Sequence, residues 1–209
     1  MTDEIVFYTN PMSRGRIARW MLEEVGAPYR MEVLQFGSTM KDDAYRSVNP
    51  MGKVPAIVHA DKIVTEGAAI CAYLADAFPA AGLAPPATER ADYYRWLFFA
   101  AGPLEAAVSN KALGFDVPKD RERMIGYGNL ADVMTTLETA VKAHSYIAGD
   151  TFSAADVYVG AQIGWGMQFG TIEKRPAFEA YFGRLSARPA YLRAAEKDDA
   201  ALAEMQAAG

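Results

Sequence analysis

Ile5-Val6-Phe7-Tyr8-Thr9 leads directly into Asn10-Pro11-Met12-Ser13. The first five residues form an unbroken apolar run, the pattern of a strand buried on both faces. Asn10-Pro11-Met12 interrupts it, because proline withholds a backbone donor and fixes its own φ. Ser13 is then placed to cap a helix. The apolar face of that helix carries Ile17, Met21 and Val25, and Gly26 ends it with Pro28 beyond. A buried strand passing straight into a helix is the opening of an α/β unit.

The neighbouring segments continue the alternation. Tyr29, Met31 and Val33 alternate with polar residues, as in a half-buried strand. A weakly helical stretch runs from about Lys41 to Ser47. Val54–His59 and Lys62–Thr65 flank Ala60-Asp61 as a hairpin would. Ile70, Tyr73, Leu74, Ala77 and Phe78 recur at helical spacing until Pro79. The order predicted is β-α-β-α-β-β-α. Phe78–Pro86 is dense in Pro, Ala and Gly and reads as the end of a domain. We therefore expect an α/β domain over 1–80, a linker over 81–87 and an all-helical domain over 88–209.

That second part begins with a helical run holding Trp96, Leu97, Ala100 and Leu104, with Gly102-Pro103 set to kink it. Another helix is predicted from about Lys119 to Ser145. Phe152-Ser153-Ala154-Ala155-Asp156-Val157 has the layout of a capping box flanked by a hydrophobic staple. Pro176 and Pro189 each suit the first turn of a further helix. Tyr93, Trp96, Phe98 and Phe99 read mainly as core. The run of Gly160, Gly164, Gly166 and Gly170 suits close helix packing, since it lacks the strand and lysine of a phosphate loop.

Composition narrows the function. The 209 residues are 51% hydrophobic and 22% charged, which fits an ordered globular chain. Lys and Arg number 21 against 26 Asp and Glu, a formal net charge of -5. This balance argues against a nucleic-acid backbone as partner, which needs clustered cations. No apolar stretch is long enough to span a bilayer, and the acidic opening MTDEIVFYTN does not read as a signal peptide. A single cysteine, Cys71, excludes an internal disulfide and a cysteine metal cluster. With only His59 and His144 besides, no metal is expected. These features describe a soluble, cytoplasmic protein.

Three segments carry candidate chemistry. Asn10-Pro11-Met12-Ser13 lies where a thioredoxin-like domain carries a Cys-Pro-x-Cys redox pair, yet no thiol is present. The helix start offers unpaired amides and partial positive charge, Asn10 an amide donor and Ser13 a hydroxyl, all suited to a thiolate brought by a ligand. Without a ligand, Asn10 opens a turn and Ser13 caps a helix. Asn49-Pro50-Met51-Gly52-Lys53-Val54-Pro55-Ala56 is a turn into a strand, where Pro55 reads as a cis-proline and Val54 as free to pair with an extended peptide. Lys53 and Lys41 are candidate partners for a ligand carboxylate. The alternative is an edge-strand proline with solvated lysines. In Thr65-Glu66-Gly67-Ala68, the amides of Gly67 and Ala68 open a helix and suit a carboxylate, while Glu66 suits an ammonium. The alternative is an acidic residue that stabilises its own helix. Together the three describe a pocket for a thiol tripeptide.

The order and spacing of TNPMSRGR, NPMGKVPA, TEGAAICAYLADAFP and FSAADVYV resemble the cytosolic glutathione S-transferases, bacterial type, over nearly the full chain. The resemblance implies a thioredoxin-like α/β N-terminal domain that binds glutathione as cosubstrate. It implies an all-α C-terminal domain contributing the acceptor site for a hydrophobic electrophile, and a detoxifying homodimer. By position, Val54 matches the residue whose backbone pairs with the cysteinyl part, and Pro55 the cis-proline. Glu66 and Gly67 match the pair at the γ-glutamyl head, where the family usually has Glu-Ser. Lys53 and Lys41 match the side of the glycyl carboxylate. Asn10 falls where the catalytic serine usually stands, with Ser13 on the first turn of the helix, so Asn10 is expected to be the main donor to sulfur and Ser13 the second. Glutathione-dependent reduction of a disulfide or peroxide, and a non-catalytic binding role, are the alternatives on the same fold.

Overall fold

The computed structural model describes residues 4–207. Residues 1–3, 208 and 209, which the expected domains include, lie outside the described residues. Contacts divide the chain into two units: one takes it up to Leu83 and again from Ala187, the other spans Ala84–Ser186.

The first unit contains β1 (Ile5–Thr9), α1 (Gly15–Val25), β2 (Tyr29–Val33), α2 (Asp43–Arg46), β3 (Ala56–His59), β4 (Lys62–Thr65) and α3 (Gly67–Ala77), in the predicted order. The sheet order is β2-β1-β3-β4. β1 runs parallel to β2 and antiparallel to β3, and β3 is antiparallel to β4. Parallel neighbours need a crossover, which α1 supplies. β1 is central, but only one of its faces is fully covered: Ile5, Phe7 and Thr9 are buried, while Val6 and Tyr8 are half-buried. The all-apolar run is therefore one buried face and one partly covered face. α1 starts at Gly15, two residues after Ser13; the Ser13 hydroxyl accepts the Gly15 amide at 2.9 Å. Gly26 ends the helix at φ +67°, as the sequence predicts.

By its contacts the last helix, α9 (Pro189–Ala207), groups with this first unit, whereas the expected helical domain runs to 209. Its buried stripe is Ala190, Ala194, Asp198 and Ala201. Alanine lets α9 approach α1 closely, and Asp198 in that stripe needs a cation. Arg19 of α1 provides one at 2.7 Å, with both side chains almost fully buried. Breaking such a pair leaves an uncompensated buried charge. Arg188 pairs with Glu24, Arg193 and Lys197 with Glu23, and Arg16 with Asp199.

The second unit is helical: α4 (Ala91–Phe99), α5 (Glu105–Ala112), α6 (Leu130–Ala143), α7 (Ala154–Phe169) and α8 (Pro176–Ser186). At Gly102-Pro103 the chain forms a π-helical turn over Ala100–Leu104, where proline lacks the donor an α-turn requires. The long helix expected from Lys119 splits into a 3-10 stretch, Lys119–Met124, and α6. Gly128 at φ +67° separates them, and Asn129 caps α6 by accepting the Asp132 amide at 2.9 Å. Tyr93 and Trp96 are buried, but Phe98 is 74% exposed and not core.

The capping box of α7 is present, and Phe152 and Val157 are buried beside it. Asp156 does more than cap. One carboxylate oxygen accepts the Ser153 amide at 2.9 Å. The other accepts the Ile147 amide at 2.8 Å and the Tyr181 hydroxyl at 2.7 Å. It thus ties the α6–α7 loop and α8 to the start of α7. A Cβ on Gly164 would lie 2.4 Å from the Phe182 ring, and one on Gly166 2.4 Å from Ile172, so these glycines permit close packing.

Candidate functional site

Strand register brings the three candidate segments together. Tyr8 of β1 is opposite Ala56 of β3, which is opposite Thr65 of β4. One step further along each strand lie Thr9-Asn10, Val54-Pro55 and Glu66-Gly67, all at the same end of the sheet. Both α1 and α3 start at this end; the Gly15, Arg16 and Ile17 amides of α1 already have partners, whereas no hydrogen bond among the described residues uses the Gly67, Ala68 and Ala69 amides of α3.

Side-chain donors shape the turn that leads to β3. The Tyr45 hydroxyl donates to the Lys53 carbonyl at 2.6 Å, and the buried Asn49 amide donates to the same oxygen at 2.8 Å. Burial pushes the Tyr45 phenol up to about 12, so it keeps its proton at neutral pH. Lys41 donates to the carbonyls of Met51, at 3.1 Å, and Gly52, at 2.8 Å. Lys41 therefore braces the turn. Gly52 stands at φ +56°, where a Cβ would meet the Met40 carbonyl oxygen at 2.5 Å. Tyr45 and Asn49 were missed as site-builders; an Asn before Pro50 with a tyrosine one helical turn earlier was the available signal.

The Val54–Pro55 bond is cis. Among the described residues, no hydrogen bond uses the Val54 amide or carbonyl, and the exposed Lys53 ammonium has no partner. Glu66 is exposed and stands at φ +66°, ψ 119°, an unfavourable backbone for a residue with a Cβ. No described group pairs with its carboxylate. It precedes Gly67, Ala68 and Ala69, whose amides form the first turn of α3.

Asn10 directly follows β1. Its side chain is fully buried. Its amide donates to the Leu34 carbonyl at 2.7 Å and contacts Met205 Sδ at 3.8 Å, and its oxygen accepts the Met12 amide at 2.9 Å. Both polar ends of the side chain therefore have partners within the protein. Ser13 is half-buried, and its hydroxyl donates to the Asn10 carbonyl at 2.7 Å while accepting from Gly15. Cys71 is fully buried, and burial pushes its thiol well up, so it holds no thiolate.

The family model for the glutathione S-transferase N-terminal domain matches residues 12–77, and that for the C-terminal domain matches residues 97–189. Glutathione S-transferase GstA of Escherichia coli O157:H7 is 30% identical over 151 residues, 70% of this chain and 74% of that protein. The chain belongs to the glutathione S-transferase family. Glutathione S-transferase GST-4.5 of Xanthomonas campestris is 28% identical over 188 residues, 86% of this chain and 92% of that protein. A sphingomonad glutathione S-transferase solved in complex with glutathione superposes with a TM-score of 0.75 at 27% identity, covering 93% of this chain and 98% of that one. Within this chain, the N-terminal match includes Ser13, Lys41, Lys53, Val54, Pro55, Glu66 and Gly67 but begins after Asn10.

Proposed function

We propose that this chain binds glutathione at the shared end of β1, β3 and β4 and activates its thiol for attack on a hydrophobic electrophile. The observation that carries the reading is the register that gathers Ser13, Val54 and Glu66-Gly67 around two helix N-termini. The γ-glutamyl ammonium pairs with the Glu66 carboxylate, and its carboxylate takes the first amides of α3. The cysteinyl backbone adds to Val54 as a short strand would. Lys53 takes the glycyl carboxylate.

A free thiol has a pKa of about 8.5 and is only a few per cent ionised at neutral pH. Lowering it by about two units requires roughly 2.7 kcal/mol of preference for the thiolate. One charge-assisted hydrogen bond and a helix N-terminus have that magnitude. Ser13 is the donor in this proposal. Its hydroxyl proton rests on the Asn10 carbonyl, which also accepts the Ser13 amide at 3.0 Å. The proton can swing to a thiolate while that carbonyl keeps one partner, so the turn costs little. Ser13 is too weak a base to abstract the thiol proton; its role is to hold the anion. On family likeness, the reading extends to a cytoplasmic, detoxifying homodimer.

The test is the ultraviolet absorbance of bound glutathione thiolate against pH. Wild type should show a bound pKa about two units below the free value, and Ser13→Ala should raise it by about one unit. An unperturbed thiol in wild type would refute the proposal. Turnover with halide, epoxide, peroxide and disulfide acceptors then separates conjugation from reduction.

A further inference from the structure

We propose that Asn10 is a positioning residue for Ser13, and that Met205 of α9 holds Asn10 in place. This rests on the reading that Ser13 faces the thiolate. Each polar group of Asn10 except its own main-chain amide has a partner, either in the loop that ends at Ser13 or on Leu34 and Met205. The side-chain oxygen accepts the Met12 amide, and the side-chain amide donates to the Leu34 carbonyl and Met205 Sδ. The main-chain carbonyl takes both the amide and the hydroxyl of Ser13. One residue earlier, the Thr9 carbonyl accepts the Leu34 amide at 2.8 Å, so Leu34 grips the chain on both sides of the Thr9–Asn10 peptide. The direction of the Asn10 carbonyl follows from these bonds, and with it the resting place of the Ser13 proton.

Met205 reaches this loop because of how α9 lies on α1. The ion pairs run in opposite order along the two helices: Arg188 with Glu24, Lys197 with Glu23, Asp198 with Arg19, and Asp199 with Arg16. Six residues past Asp199, about 9 Å of helix rise, Met205 has passed the start of α1 and stands beside Asn10. The Asn10 amide carries two hydrogens in a fully buried site. Leu34 satisfies one. A thioether is a weak acceptor, but without it the second hydrogen would be an orphan, and a leucine of similar volume supplies no acceptor. Met205 is chosen for its sulfur as well as its bulk.

The experiment uses the full chain with Asn10→Ala, Met205→Leu and Met205→Gln. Two quantities are measured: the pKa of bound glutathione, and the affinity for S-methylglutathione, which has no thiol to ionise. Asn10→Ala should raise the bound pKa by about one unit, a tenfold loss of thiolate preference, while S-methylglutathione affinity stays within about twofold of wild type. Met205→Leu should raise the pKa by less, and Met205→Gln, which restores an acceptor, should return it to the wild-type value. A parallel loss of S-methylglutathione affinity would mark general damage and overturn the proposal. So would a wild-type pKa in a folded Asn10→Ala. If Asn10→Ala does not fold, an unchanged pKa in Met205→Leu overturns it alone. Failure of the underlying reading has its own signature: Ser13→Ala would leave the bound pKa unchanged, and the proposal would fall with it.

Discussion

Asp156→Asn should destabilise the helical unit by about 2–3 kcal/mol. The carboxylate is fully buried and receives four donors or near-donors. One oxygen takes the Ile147 amide and the Tyr181 hydroxyl; the other takes the Ser153 amide and lies 3.2 Å from the Ser153 hydroxyl. An asparagine has the same shape but one accepting oxygen. Either way round, its NH2 group meets a backbone N–H that cannot turn away, at Ile147 or at Ser153. The two hydroxyls can rotate and accept instead. One orphaned buried donor costs about 1–3 kcal/mol, and the remaining bonds lose their charge. Burial pushes the Asp156 carboxyl above its ordinary value, so the neutral amide recovers part of that loss through easier desolvation. Urea denaturation followed by tryptophan fluorescence and far-ultraviolet circular dichroism reads the change. With a slope near 2 kcal/mol per molar, the midpoint should fall by about 1–1.5 M. Ser153→Ala, which removes only the cap hydroxyl, should cost about 1 kcal/mol. An Asp156→Asn midpoint within about 0.2 M of wild type at equal slope would refute the accounting.

Glu66→Gly should stabilise the free protein by about 1 kcal/mol, because glycine adopts φ +66° without strain. The same change should weaken glutathione binding about tenfold or more by removing the ammonium's partner; equal affinity by calorimetry would displace the head group from this residue. Gly15→Ala places a Cβ 1.9 Å from Thr9 Oγ1 and should cost about 1–3 kcal/mol. Adding Thr9→Ala, which removes a buried hydroxyl without a hydrogen-bond partner, should recover much of that loss; additive denaturation midpoints would contradict the clash. Burial pushes the Glu23 carboxyl up, but hydrogen bonds from Lys197, Tyr29 and Arg193 outweigh it and hold it below the ordinary 4.5. On acidification the unfolded chain takes up this proton first, so the stabilisation is complete above pH 4.5 and fades as pH falls through the lower folded value. The stability gap between wild type and Glu23→Gln should therefore narrow only below that pH; a gap that narrows between pH 8 and 6, on the order of two units, would assign it to another group.

The local elements were legible because short-range rules govern them. Gly26 and Pro28 end α1, Pro176 and Pro189 begin α8 and α9, and Ser153 with Asp156 starts α7, each through bonds or steric limits spanning a few residues. The predicted helix over 119–145 failed at Gly128 and Asn129, where a glycine turn and a side-chain cap outweighed a favourable composition. For the site, the linear chain already shows which residue types flank the strands and helix: Val54-Pro55 before β3, Glu66-Gly67 after β4, Ser13 ahead of α1. Which polar groups already have partners depends on the fold. Asn10 and Lys41 look like ligand donors in a linear chain, yet their partners, Leu34, Met205, Met51 and Gly52, are from ten to 195 residues away. The placement of α9 was hidden for the same reason. Asp198 in a stripe of alanines required a buried cation, but nothing local says that it is Arg19, 179 residues earlier. Backbone periodicity and capping are written in neighbouring residues, whereas the pairing of a donor with its acceptor depends on what folding brings beside it.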